Sequence, residues 1–241
     1  MRQKQIIFSV LFLSMNLIIH SALAKPDIPT SQRSINAITK VETSLKQQLT
    51  TKGLDYGAAI FIRIFKESSQ LEVWIEAKNR KFILFKSYDI CTFSGDLGPK
   101  LKQGDWQSPE GFYFVKPIQL NPWSRFHLSF NLGYPNSFDR AHGRTGSALM
   151  VHGNCVSIGC YAMTDKNINE IYALVNAALE KGQPYFRVHT FPFKLSTERL
   201  GKEKNNQWYS FWQNLKEGYD YFENNGIPPN VEVLNKKYVF D

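Results

Sequence analysis

Three runs rich in Ile, Val, Phe and Trp, residues 58–65, 71–77 and 81–90, follow one another with only Lys66-Glu67-Ser68-Ser69-Gln70 and Lys78-Asn79-Arg80 between them. Such spacers suit hairpin turns and leave no room for the helix that must cross over between parallel strands. The spacing therefore predicts an antiparallel sheet, and the rest of the chain has to pack around it. A glycine- and proline-containing stretch, residues 94–111, reads as a long loop across that sheet before strand character resumes at residues 112–115. Residues 121–144 are again loop-rich, and residues 147–152 read as a buried strand. Long ordered loops on a β scaffold commonly carry binding function.

Helical periodicity brackets the strands. Ile35, Ile38, Val41, Leu45 and Leu49 recur at spacings of three and four before Gly53, the pattern of an amphipathic helix with its terminating glycine. Thr164-Asp165 can cap a helix running through Ile168, Ile171, Leu174, Val175 and Leu179 to Gly182, and residues 184–190 return to strand. From Ser196 a further helix places Trp208, Phe211, Trp212, Leu215, Tyr219 and Phe222 on one face, a stripe expected to pack on the parent domain. Residues 231–240 read as a closing strand. The fold class is mainly β with flanking helices, α+β.

Residues 1–24 read as an export signal: Arg2 and Lys4 precede an apolar run that ends at Ala22-Leu23-Ala24. The run is short and broken by Ser14 and Asn16, which disfavours a membrane span, and no other segment is apolar enough. Export leaves an N-terminal helical segment (25–57), a central domain (58–190) and a C-terminal aromatic helix with its closing strand (191–241). The formal net charge of +8 suits anionic surroundings or plain solubility. No Lys/Arg block or aromatic-basic repeat points to nucleic acid.

Function concentrates in residues 149–165, which hold His152, Cys155 and Cys160. The chain has three cysteines, so at least one sulfur is unpaired, either beside one disulfide or as one of three free thiols. A free thiol in an oxidising compartment is better explained by chemistry than by packing, and a thiol attacks only as thiolate, which a nearby imidazole generates. Cys91, at the end of an apolar run, reads as a small buried hydrophobe.

Val151-His152-Gly153 followed by Ser157-Ile158-Gly159-Cys160-Tyr161-Ala162-Met163, and preceded by Ser108-Pro109-Glu110-Gly111-Phe112-Tyr113, resembles the L,D-transpeptidase (YkuD-type) catalytic domain of peptidoglycan enzymes. Residues 61–66 and 139–146 extend the likeness to the YafK branch, which includes an enzyme that detaches Braun's lipoprotein from peptidoglycan. The resemblance implies a mixed β-sheet fold with its active site under a loop, and Cys/His acyl transfer at the meso-diaminopimelate centre of stem peptides. It also implies a periplasmic location in a Gram-negative envelope and no metal or organic cofactor. Peptidoglycan stems, and for the branch Braun's lipoprotein, are the implied partners. Ile158 stands where many relatives carry a second histidine and Ala162 where they carry Arg or Asn, which leaves transpeptidation and hydrolysis both open.

Residue chemistry and resemblance converge on Cys160 as nucleophile. Gly159 lets substrate approach, and the following helix start is expected to help hold the thiolate. His152 is the expected base, brought close if the two residues end adjacent strands joined by a turn from Gly153 to Ser157. Backbone N–H groups of Gly159 and Cys160 are the expected oxyanion donors. Ser157 tightens the turn or hydrogen-bonds in the site. Arg140 and Arg144 are candidate clamps for a substrate carboxylate, and His142 and Tyr161 candidate substrate contacts. Cys155 is the rival nucleophile. Two other readings stay open: zinc held by His142, His152, Cys155 and Cys160, or a wall-binding module with Cys155 and Cys160 joined.

Overall fold

The computed structural model describes residues 27–241, so the export signal expected at residues 1–24 lies outside the described residues. The first half of the chain forms α1 (Gln32–Thr51), β1 (Ile60–Phe65), β2 (Gln70–Glu76), β3 (Phe82–Asp89), β4 (Thr92–Phe93), β5 (Gly111–Val115) and β6 (Leu120–Asn121). The second half forms β7 (Ser129–Asn131), α2 (Ser137–Ala141), β8 (Met150–His152), β9 (Tyr161–Ala162) and α3 (Thr164–Glu180). It continues with β10 (Phe186–Phe191), α4 (Thr197–Gly201), α5 (Tyr209–Asn225), β11 (Val231–Leu234) and β12 (Lys237–Phe240).

Two five-stranded sheets carry the fold, in the orders β3-β2-β1-β10-β5 and β4-β9-β8-β7-β6. The expected hairpins β1–β2 and β2–β3 are antiparallel, but β1 pairs with β10 in parallel, so the sheet is mixed. All of β1 is buried because both faces are covered. Ile60, Ile62 and Ile64 enter a core shared with α1, α3 and the second sheet. Phe61 and Phe65 turn the other way and meet Phe222 and Tyr219 of α5. The aromatic stripe thus roofs the outer face of the first sheet, where Arg63 is ion-paired to Glu72 at 2.8 Å with its guanidinium over Trp74 and Phe222.

Ser31 caps α1 by accepting from the Ser34 N–H, and its hydroxyl also donates to Pro122 O at 3.0 Å. Arg33 donates to Ser124 O and His127 O at 2.7 and 2.9 Å. The N-terminal helix therefore braces the 122–127 loop, whose Phe126 reaches the candidate site.

Several expectations are corrected. Only Met150–His152 of the 147–152 run is strand, because Ala148 adopts a φ of 56° and Ser147 and Ala148 are solvent-exposed. The helix expected from Ser196 is two helices, α4 and α5. The closing strand is the hairpin β11–β12, reversed at Asn235 and Lys236, both at positive φ. Cys91 lies beyond β3, exposed, and is disulfide-bonded to Cys155. No helix among the described residues is long and apolar enough to cross a membrane.

Candidate active site

β8 and β9 lie side by side in parallel register, Val151 opposite Tyr161 and His152 opposite Ala162. The two strands are adjacent as expected, but a parallel pair cannot be joined by a tight turn, so the Gly153 to Ser157 segment is part of a longer crossover and not a simple turn. Side chains alternate across a strand. Leu149, Val151, Tyr161 and Met163 enter the core on one face, which leaves His152 and Cys160 together on the other. Cys160 sits level with Met150, two residues along the ladder from His152, roughly 8 Å away between Cα atoms by ordinary strand spacing.

Cys160 is the free cysteine, 8% exposed. Its Sγ accepts from the Met150 N–H at 3.4 Å and its thiol donates to Ala148 O at 3.6 Å. Burial pushes the thiol pKa up, while the Met150 N–H and the Lys100 charge pull the other way. Burial therefore works against the thiolate expected from the imidazole and the helix end. Met163 precedes α3 without a side-chain cap, and Asp165 spends its carboxylate on the Asn154 N–H at 2.8 Å.

His152 is buried, and its pKa is lowered by that burial, with the Gly153 carbonyl opposing. Its Nδ1 lies 2.5 Å from Gly153 O. A carbonyl only accepts, so Nδ1 carries the proton and Nε2 keeps the lone pair. Phe126 stacks on the ring at 4.5 Å between centroids. Gly153 is needed for close approach: a Cβ there would stand 2.8 Å from Phe126 O and 2.7 Å from Asp165 Oδ1.

Ser157 organises the crossover. Its hydroxyl donates to Cys160 O at 2.8 Å and accepts from the Gly159 N–H at 3.1 Å and the Ser94 hydroxyl at 2.8 Å. The Gly159 N–H is thus occupied and is not the free oxyanion donor expected of it. Ser108 also donates to Cys160 O, at 3.1 Å, so the 94–111 loop is tied to the Cys160 carbonyl directly at Ser108 and through Ser157 at Ser94. Gly159 takes a φ of 140°, a conformation that side chains disfavour. The Cys91–Cys155 disulfide anchors the same crossover from outside. It removes Cys155 both as rival nucleophile and as a partner for Cys160.

Residues 61–189 match the YkuD family, the L,D-transpeptidase catalytic domain, over more than half of the chain. The chain belongs to that family. The YafK proteins of Escherichia coli (strain K12) and Escherichia coli O157:H7, whose names carry a provisional L,D-transpeptidase assignment, are each 46% identical to it over 206 residues, 86% of this chain and 81% of theirs. Among solved structures, a variant of the helical cell shape determining protein Pgp2 from Campylobacter jejuni gives a TM-score of 0.47 at 18% identity, covering 80% of this chain and 66% of that one. Pgp2 itself gives 0.44 at 17%, covering 79% and 80%.

The other candidate residues of this YkuD domain lie away from the thiol. Arg144 is buried against Asp139 at 2.8 Å, its guanidinium between Phe138 and Phe211, so it locks α2 to α5. Arg140 folds back on Pro135 O and Ser137, beside a separate cavity bounded by β5 and β11. His142 stacks on Phe138 and hydrogen-bonds its carbonyl. Tyr161 points into the core and donates to Pro109 O at 2.7 Å. The four residues weighed for zinc are not gathered, and among the described residues no group of three His, Cys, Asp or Glu side chains could hold a metal ion.

The cleft over Cys160 has a volume of about 290 Å³ and is lined instead by the 94–111 loop, through Lys100, Gln103 and Trp106, and by Ile158 across from it. Trp106 and Ile158 are 64% and 72% exposed, and Trp106 holds a φ of 57°. The loop's length marked it as a binding segment. Which of its charged residues turn inward could not be read from composition.

Proposed function

We propose that this protein is an exported acyl-transfer enzyme of peptidoglycan that uses Cys160 as nucleophile and His152 as base on a carbonyl of meso-diaminopimelate in a stem peptide. The observation that carries the reading is the free thiol at the floor of a cleft, on the same sheet face as an imidazole whose Nε2 lone pair is unprotonated. Family membership supports the peptidoglycan substrate.

Sulfur attacks the carbonyl carbon while Nε2 takes the thiol proton. The tetrahedral intermediate collapses, the C–N bond breaks, and the leaving amine takes that proton from Nε2–H. An amine or water then gives a proton to Nε2 as it attacks the thioester carbon, the C–S bond breaks, and the departing sulfur takes that proton back from Nε2–H to restore the thiol. Burial favours the neutral form of both groups, so proton transfer accompanies attack. With an amine as acceptor the product is a cross-link or a lipoprotein attachment. With water it is cleavage of the diaminopimelate–lysine bond to Braun's lipoprotein.

The test is incubation with free and lipoprotein-linked sacculi, with products identified by mass. Turnover that disappears in Cys160→Ala and in His152→Ala is expected, and the products name the acceptor. Undiminished turnover by Cys160→Ala overturns the reading.

A further inference from the structure

Among the described residues, Lys100 is the one charged residue lining the cleft over Cys160. It is 3% exposed, and an ammonium buried to that degree needs partners for its three N–H donors. One goes to the Asp105 carboxylate and one to Lys102 O at 2.9 Å. The third has no protein acceptor among the described residues.

Asp105 cannot supply one. Its Oδ1 also accepts from the Gln107 N–H at 3.2 Å, and its Oδ2 accepts from the Leu101 and Lys102 N–H groups at 2.8 and 3.0 Å, which fills the carboxylate. Asp105 is therefore a fixed counter-ion that orients the ammonium, and the ammonium keeps one donor in hand. The Lys100 charge also reaches the Cys160 sulfur strongly enough to oppose the effect of burial on the thiol. Arg140 and Arg144, the other cations considered for a carboxylate, are engaged elsewhere.

We propose that Lys100 binds a free carboxylate of the stem peptide, and so sets which carbonyl lies over the Cys160 sulfur. This rests on the acyl-transfer reading above. Diaminopimelate has two carboxyl groups, so when one forms the scissile amide the other remains free to meet Lys100. A terminal carboxylate on the leaving residue has the same chemistry.

Three soluble muropeptides separate the sources: one with both carboxylates free, one with a carboxamide on the diaminopimelate, and one with a carboxamide on the leaving residue. A charge-assisted hydrogen bond lost in a buried site lowers kcat/KM roughly 30-fold. That loss is expected for wild type with the diaminopimelate carboxamide. Loss with the leaving-residue carboxamide alone also supports the Lys100 site and assigns it to that carboxylate. Lys100→Met should turn over the free and amidated substrates equally slowly, and Lys100→Arg should restore discrimination. The wild-type comparison decides even if Lys100→Met does not fold.

Binding of the same three muropeptides to Cys160→Ala reads the contact without chemistry. Preference for the free carboxylate there, with no turnover by the intact protein, overturns the acyl-transfer reading and leaves the Lys100 contact standing. Equal handling of all three by wild type, or discrimination that survives Lys100→Met, overturns the Lys100 proposal.

Discussion

Val151 pairs with Tyr161 in parallel register, and this pairing puts His152 and Cys160 on one face of the second sheet. An antiparallel partner in the same register would set Cys160 directly opposite His152, whereas the parallel pairing sets it level with Met150, one step along the same face. The 153–159 crossover makes the parallel arrangement possible, held by the disulfide, Ser157 and the two glycines.

The first prediction concerns protonation. His152 must be neutral to act as base, and its pKa is lowered from 6.5, so the acid limb of activity is expected below that value. The Cys160 pKa is raised from 9.0, so alkylation of the free enzyme by iodoacetamide should keep rising through pH 9. Mass spectrometry of the modified peptide across pH measures this. A plateau near neutrality would mean a preformed thiolate–imidazolium pair.

The disulfide closes a loop of 64 residues, for which chain-entropy arguments give a ceiling of about 4 kcal/mol. The Cys91→Ala/Cys155→Ala protein should lose about 2–4 kcal/mol in urea unfolding and keep an alkylatable Cys160. Thiol titration of unreduced, denatured protein should find one thiol. Three would place the disulfide in doubt.

Glu110 is fully buried and binds Lys66 at 3.1 Å, the Gly98 N–H at 2.7 Å and the Trp212 indole at 2.8 Å. It thereby ties the cleft loop to α5. Burial lowers the Lys66 pKa and Glu110 opposes that shift. Glu110→Ala should cost about 3–5 kcal/mol because Lys66 loses its counter-charge in the interior. The double variant with Lys66→Met should cost less than that single change. Strict additivity in denaturant unfolding would show that the two charges do not act as a pair.

Arg144→Met should likewise destabilise by about 3 kcal/mol, since it strands the buried Asp139. Turnover per folded molecule should stay within about twofold, because structural pairs act on stability rather than on the transition state. A hundredfold fall in kcat/KM with folding intact would return Arg144 to the cleft.

The sequence by itself determined the elements whose signal is local. The strands β1 to β3, the helices α1 and α3 and the aromatic face of α5 follow from short β-rich apolar runs or helical spacing within a few turns of chain. The odd cysteine count required at least one unpaired sulfur, and the glycine-flanked motif singled out Cys160 for it.

Tertiary structure decided what depends on residues far apart in the chain. Cys91 became a disulfide partner because the link from β3 to β4, the edge strand of the second sheet, meets the 153–159 crossover, bringing together cysteines 64 residues apart in sequence. Arg140 and Arg144 turned to α2 and α5 while Lys100 turned into the cleft, although all three are ordinary cations in loop-rich sequence. Local pattern reports which face of an element is apolar. Pairing direction, and which charged side chain loses its water, are set by long-range packing that no short window of sequence contains.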